Sequence, residues 1–357
     1  MSDYSYMITN RNNPTATSYA DIVPLSGNQT ADLWWYQSPT PFDQNASDYQ
    51  SLTTDPVATA PADFSKPLIE ELSAQAQPML VVYVHGLGNL WASAVKETAE
   101  LGANLQQSAG FTGTVIGFSW PSYDILESGL YYSNGYAFPP TDTSGNIRGN
   151  INGSAKSFGS LLSFIQSMVS AVNGLKVSIV CHSEGNYMLL LGTYGATAKS
   201  VDQVLLLAAD VNNAVLQTPS SGLAGQGAGI ATSATQVTVY YTNNDITLAS
   251  SDSGYGTLQE HNPVYGGRLG QTGPSYNTGS QQANSVSVDC SLVINYQNVD
   301  ALEQAGTVPP GTSLHSSYIF IPQVLEDMAQ TIGGTAAGSV TNRTSTANAG
   351  GYLMNLT

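Results

Sequence analysis

From residue 79 onward the chain alternates between continuous apolar runs of strand length and amphipathic stretches of helical period. Met79-Leu80-Val81-Val82-Tyr83-Val84 has no polar interruption, which is the pattern of a strand buried on both faces. Leu90 to Gln107 then places Ala94, Val95, Leu101 and Leu105 at helical spacing. Thr114 to Phe118 predicts a second strand, and Phe158, Leu161, Leu162, Ile165, Met168, Val169 and Val172 mark one face of a second helix. A strand ending at Cys181 and a helix over Asn186 to Ala196 follow. Val204 to Ala209 and Val237 to Tyr241 predict two more strands, and Ser291 to Tyr296 is expected as the last one. Val324, Leu325, Met328 and Ile332 outline a final helix, with Pro322 in its first turn. Apolar strands alternating with amphipathic helices predict an α/β protein: a mostly parallel, doubly wound sheet with helices on both faces.

The ends read differently. Residues 1–75 hold two short apolar runs, at Tyr6 and at Leu33, among polar stretches without a clear period, and are expected as an N-terminal extension adding edge strands. Residues 76–332 form the expected main domain. Residues 333–357, rich in Gly, Ala, Ser, Thr and Asn, have the composition of a low-complexity, loosely held tail. Within the main domain, 123–150 is too long for an ordinary connection, which in an α/β unit spans about 2–6 residues. It carries Tyr123, Tyr131, Tyr132 and Tyr136. Two readings stand: an excursion packing its aromatics on the domain surface, or a flap over a site at the carboxyl ends of the strands.

Of the 357 residues 41% are hydrophobic, enough for a substantial core, and only 10% are charged. Nine basic against 25 acidic side chains give a net charge of −16. Such a surface repels phosphate backbones and anionic headgroups, which argues against nucleic-acid or membrane-surface partners. No apolar run approaches the ~18 residues needed to span a bilayer. No basic segment followed by an apolar one opens the chain, so a cytoplasmic location is expected for this form. Cys181 and Cys290 make no disulfide framework and read as buried thiols.

Chemistry concentrates at Val177 to Gly185, where an apolar strand stops at His182-Ser183-Glu184-Gly185 and a helix begins. Strand, sharp turn with serine at its apex, then helix is the geometry of a nucleophile elbow. It aims the amide of Glu184, at the helix start, toward a developing oxyanion. A serine hydroxyl needs a neighbouring base. Of the two histidines after Ser183, His315 is preferred over His261. For the acid, Asp245 and Asp210 each end a strand, and Asp245, on the later one, is preferred; the other would brace structure. Gly86-Leu87 after the first core strand suits a second oxyanion donor from the amide of Leu87. His85 and His182 are expected in buried, hydrogen-bonded roles. No metal-binding or dinucleotide motif is present, so neither metal nor cofactor is expected.

Val84-His85-Gly86, Phe118-Ser119-Trp120-Pro121-Ser122, His182-Ser183-x-Gly185-Asn186, Ala208-Ala209-Asp210-Val211, Tyr241-x-x-x-Asp245 and His315-Ser316-x-Tyr318 together resemble an uncharacterised branch of the α/β-hydrolase superfamily. Ile8-Thr9-Asn10-Arg11 is similar to the way such chains begin. The sequence departs at Glu184, where relatives tend to carry Met, and at Cys181, which replaces the first glycine of G-x-S-x-G. The resemblance implies an α/β-hydrolase fold over 76–332 and a Ser183, Asp245, His315 triad, but little about substrate; the leading expectation is a serine hydrolase acting on a small-molecule carboxylic ester. An uncharged apolar or aromatic ester fits the acidic chain and the tyrosines of 123–150. A thioesterase, lipase, amidase or acyltransferase on the same residues, or a non-catalytic binding protein of the same fold, are the alternatives.

Overall fold

The computed structural model describes residues 4–11, 33–38, 58–122, 147–218, 226–254, 267–275, 280–348 and 350–356. Strands β1 (Ser5–Thr9), β2 (Trp34–Ser38) and β3 (Ala58–Thr59) precede helix α1 (Pro61–Ala74). Then come β4 (Met79–Val84), α2 (Trp91–Ala109), β5 (Thr114–Ser119), α3 (Ile147–Ala171), β6 (Lys176–His182), α4 (Gly185–Gly192) and β7 (Val201–Leu207). β8 (Gln217–Thr218), α5 (Ala228–Ser233), β9 (Ala234–Tyr241), α6 (Ile246–Gly254) and α7 (Leu269–Thr272) follow. β10 (Ser280–Gln281), β11 (Ser285–Asp289), α8 (Tyr296–Gln304), α9 (Pro322–Ile332), β12 (Arg343–Ser345) and β13 (Gly351–Met354) complete the described chain.

Among the described residues, 11 strands form one sheet in the order β12-β13-β11-β9-β7-β6-β4-β5-β1-β2-β3. From β13 across to β1 every neighbouring pair is parallel, and antiparallel pairs occur only at the two ends. The unbroken apolar run of β4 shows why. Leu80, Val82 and Val84 enter the core cluster that holds α1, α3 and α4, while Val81 and Tyr83 enter the one that holds α2 and α9. Period-2 alternation therefore sends apolar side chains into both layers. The register also aligns the strand ends: Val84 pairs with Cys181 and with Phe118, and His182 pairs with Leu207. His85, Ser183 and Ala208 consequently emerge side by side at the carboxyl edge. No described helix is long and apolar enough to cross a membrane.

Three segments depart from expectation. Residues 291–296 are not a strand; the strand is β11, whose Ser285-Val-Ser-Val-Asp alternates polar and apolar residues. The chain then turns, with the amides of Val293 and Ile294 both donating to the Cys290 carbonyl at 2.9 and 2.7 Å. Asn295 caps α8 by accepting from the Asn298 amide. Val293 and Ile294 are buried in that turn, so their apolar character marks burial and not extension. Helix α1, in the stretch that shows no clear period, buries Phe64, Leu68 and Leu72 at successive i, i+4 positions.

Residues beyond Gly333, with the composition of a loose tail, add β12 and β13 to the main sheet, β13 running parallel to β11. Composition missed a specific anchor. Arg343 donates from Nε to Asp327 Oδ2 at 2.7 Å and from Nη2 to Thr331 Oγ1 at 2.9 Å, and Tyr240 donates to Asp327 Oδ1 at 2.6 Å. The side chains of the Arg343–Asp327 pair are 1% and 0% exposed.

Candidate active site

The elbow after β6 is built from backbone constraints. Ser183 has φ 52°, a left-handed conformation that side-chain-bearing residues rarely adopt and that persists only when surroundings enforce it. Here the Ser183 amide donates to the Leu207 carbonyl at 3.0 Å, and its own carbonyl accepts from the Asp210 and Asn186 amides. The Asn186 side-chain amide donates to the Ser183 carbonyl at 2.9 Å and lies 3.2 Å from that of Leu207. Two glycines let the chain close in. A Cβ on Gly185 would stand 2.6 Å from the His85 carbonyl oxygen, and one on Gly86 would stand 2.7 Å from Ser183 Cβ.

Ser183, His315 and Asp245 come together from three separate segments. His315 lies in the 3-10 turn Leu314–Ile319, which Ser313 caps by accepting from the Ser316 amide. His315 Nε2 is 2.8 Å from Ser183 Oγ, and its Nδ1 is 2.7 Å from Asp245 Oδ2. A carboxylate only accepts, so Nδ1 carries the ring proton and Nε2 presents its lone pair to the serine hydroxyl. Asp245 is buried, and its other oxygen accepts the Leu248 amide at 3.0 Å, capping α6. The turn before it is tied down by residues 291–296, the segment that follows β11. Thr242 Oγ1 and Asn244 Nδ2 donate to the Ile294 carbonyl at 3.0 and 2.9 Å.

Asp210, the alternative acid, faces elsewhere. Ser251 Oγ donates to its Oδ1 at 2.8 Å, and buried Arg268 pairs with the same oxygen at 3.2 Å. Leu87 occupies the turn directly after Gly86, and Glu184 is the buried residue from which α4 starts. His261, Tyr123, Tyr131, Tyr132 and Tyr136 lie outside the described residues. Of the segment 123–150, residues 147–150 already belong to α3.

The two remaining histidines are buried supports. His182 Nε2 donates to the His315 carbonyl at 2.8 Å, and the two rings pack with centroids 4.9 Å apart. Desolvation, then the neighbouring His315, lowers the His182 pKa to about 3. It is therefore a neutral donor holding the backbone of His315. His85 stacks on Trp120 with an interplanar angle of 5°. Its Nε2 accepts from the Trp120 amide at 3.1 Å, which leaves Nδ1–H to donate to the Gly86 carbonyl at 2.8 Å. Burial, then the Arg11 charge, holds its pKa well below the ordinary histidine value. Arg11, at the end of the N-terminal strand, completes this brace from Nε to Ser119 Oγ at 2.8 Å and from Nη2 to the Asn89 carbonyl at 2.7 Å.

Sequence reasoning overlooked Asn186, Arg11 and Glu97 as parts of this assembly. The first two stood inside noted motifs, whereas Glu97 had no sequence signal. Its carboxylate accepts from Tyr83 Oη at 3.0 Å and from Asn89 Nδ2 at 3.3 Å. Among the described residues, no group of three or more His, Cys, Asp or Glu side chains is placed to hold a metal ion.

Among solved structures the chain is similar to a cutinase-like protein from Cryptococcus sp., with 12% identity over 72% of this chain and 95% of that one, and a TM-score of 0.33. It is similar also to an acetyl xylan esterase, with 10% identity over 73% and 99% of the two chains and a TM-score of 0.32. Phospholipase PlaB from Legionella pneumophila shares 12% identity over 63% of this chain and 40% of its own, with a TM-score of 0.26. No curated protein sequence matches the chain. A family described as "Alpha/beta hydrolase of unknown function (DUF900)" matches residues 60–310, a span that includes Ser183 and Asp245 and ends short of His315. With the parallel sheet and the elbow in place, that match assigns the chain to this alpha/beta hydrolase family.

Proposed function

We propose that this alpha/beta hydrolase is a serine hydrolase cleaving a carboxylic ester through an acyl-enzyme on Ser183. The observation that carries the proposal is the hydrogen-bonded chain from Ser183 Oγ through His315 to Asp245 Oδ2, on a serine held at φ 52°. Ser183 Oγ attacks the carbonyl carbon while His315 Nε2 takes its proton. Asp245 keeps the imidazole in the productive tautomer and stabilises the imidazolium. The amides of Leu87 and Glu184 receive the oxyanion. The imidazolium then protonates the departing alcohol, and water activated by the same histidine releases the acid. Buried Glu184 beside the nucleophile and the net charge of −16 disfavour an anionic acyl group, so an uncharged apolar or aromatic ester is the proposed substrate.

A fluorophosphonate probe tests the reaction type: labelling of the folded wild type that disappears in Ser183→Ala supports it. Absence of labelling favours a binding protein that retained the fold. A panel of p-nitrophenyl esters of rising acyl length, run beside the matching thioesters and anilides, then separates esterase and lipase from thioesterase and amidase. Product analysis with added alcohol as acceptor reports acyl transfer.

A further inference from the structure

Helix α2 carries a carboxylate that the proposed chemistry does not use. Glu97 is half-buried in the wall of a cavity of ≈240 Å³ that lies against the oxyanion loop and the 3-10 turn of His315, with His182 also in its lining. We propose that Glu97 is a positioning residue which, through Asn89, fixes the loop presenting the Leu87 amide. This rests on the hydrolytic reading above.

The loop between β4 and α2 is fastened at Asn89. Its carbonyl accepts from Arg11 Nη2 at 2.7 Å and from Ser122 Oγ at 2.8 Å, and its side-chain amide donates to Glu97 Oε2 at 3.3 Å. The same carboxylate oxygen accepts from Tyr83 Oη at 3.0 Å, which ties the helix to β4. Of these tethering groups, Glu97 is the one whose charge changes near neutrality. An ionised acceptor makes hydrogen bonds roughly twice as strong as a neutral one.

The groups facing Glu97 set where it ionises. Desolvation raises its pKa to about 7; the Tyr83 and Asn89 hydrogen bonds oppose that rise, Glu100 on its own helix adds to it, and His315 lowers it. Lys96 is engaged with Glu100 at 3.7 Å, and His182 across the cavity is neutral. The cavity brings water to the carboxylate, so it exchanges protons in the folded state. Above about pH 7 the loop is held by a charged acceptor, and below it by a weaker neutral one. The Glu97 charge also favours the imidazolium that His315 becomes during attack.

The test compares wild type, Glu97→Gln and Asn89→Ala as full-length protein. One arm measures p-nitrophenyl butyrate hydrolysis from pH 5.5 to 9, and the other follows the Leu87 and Asn89 amide resonances over the same range. At pH 8 both variants are expected to lose about tenfold in kcat with little change in KM, less than the ~10²–10³ for losing an oxyanion donor outright. The ratio of wild type to variant should fall toward one at pH 6, with an inflection near 7. A ratio independent of pH, or equal to one throughout, overturns the proposal. In the wild type the Leu87 amide should titrate near pH 7, and in Glu97→Gln it should not. A titration that survives the substitution, or never occurs, also overturns it. Failure of the wild type to turn over any ester or to be labelled at Ser183 condemns the hydrolytic reading separately, and the resonance arm then decides the tether alone.

Discussion

At the residue scale, the two aspartates that end successive strands, of which the sequence favours Asp245, have opposite jobs in the proposed mechanism. Asp245→Asn keeps an oxygen to cap α6 but no longer enforces the Nδ1–H tautomer. Its kcat is expected to fall by about 10³–10⁴ with little change in unfolding free energy. Asp210→Asn removes the carboxylate charge that pairs with buried Arg268, and should cost about 3 kcal/mol of stability. Ester kinetics and urea unfolding on the two variants check this; interchange of the two effects would reassign the acid. The buried titratable groups also give stability a pH dependence. His85 and His182 are held below their ordinary values, so each takes up a proton only on unfolding. Their contribution is full above ~6.5 and is lost as pH falls, at about 1.4 kcal/mol per unit for each. Glu97, raised from 4.5 to about 7, has the opposite sign: its contribution is present below ~4.5 and is lost as pH rises through 7. Glu97→Gln should therefore be more stable than wild type at pH 8, by about 1–3 kcal/mol, and equal to it at pH 4.5. Urea midpoints at the two pH values measure the difference. On the proposed function, the tether is kept at the expense of stability.

At the element scale, the elbow depends on how closely β4 and its loop approach the start of α4. Gly185→Ala places a methyl 2.6 Å from a backbone oxygen that cannot swing away, so it should cost about 1–3 kcal/mol. Gly86→Ala meets Ser183 Cβ at 2.7 Å and displaces Ser183 itself, the proposed nucleophile. Its kcat is expected to fall by about 10²-fold with a smaller loss of stability; a larger effect on stability than on kcat would mean that Gly86 serves only packing. These elements were legible because a strand covered on both faces is a continuous apolar run, and because a serine at the end of such a run announces the turn. Less was legible where burial and period part company. The apolar residues at 292–294 belong to a turn between β11 and α8, while β11 itself alternates polar and apolar residues and looks unremarkable. Glu97 sits on an amphipathic helix where a carboxylate ordinarily faces water; only the packing of α2 against Tyr83 turns it inward. The bond from His182 to the His315 carbonyl joins positions 133 apart in sequence and involves a backbone oxygen, which no residue pattern encodes.

At the scale of the whole molecule, the two ends of the chain extend opposite ends of the sheet. The N-terminal strands carry Arg11 to the back of His85, while β12 and β13 cover β11. The C-terminal end is the more testable, since composition alone marks it as dispensable. Arg343 and Asp327 form a buried pair with Tyr240 and Thr331 around it. Removing one partner of such a pair strands a charge in a low-dielectric environment, whereas replacing both with apolar side chains is often nearly neutral. Arg343→Met should therefore lower stability by about 3–5 kcal/mol, and Arg343→Met combined with Asp327→Leu should recover most of that loss. Deletion of residues 335–357 strands the same aspartate and also bares the edge of β11, so it should both destabilise the chain and promote association through the freed strand edge. Unfolding midpoints and light scattering across these three variants discriminate between the alternatives. A truncated chain that stays monomeric with an unchanged midpoint would mean that β12 and β13 are an appendage, and the clasp around Asp327 an incidental contact.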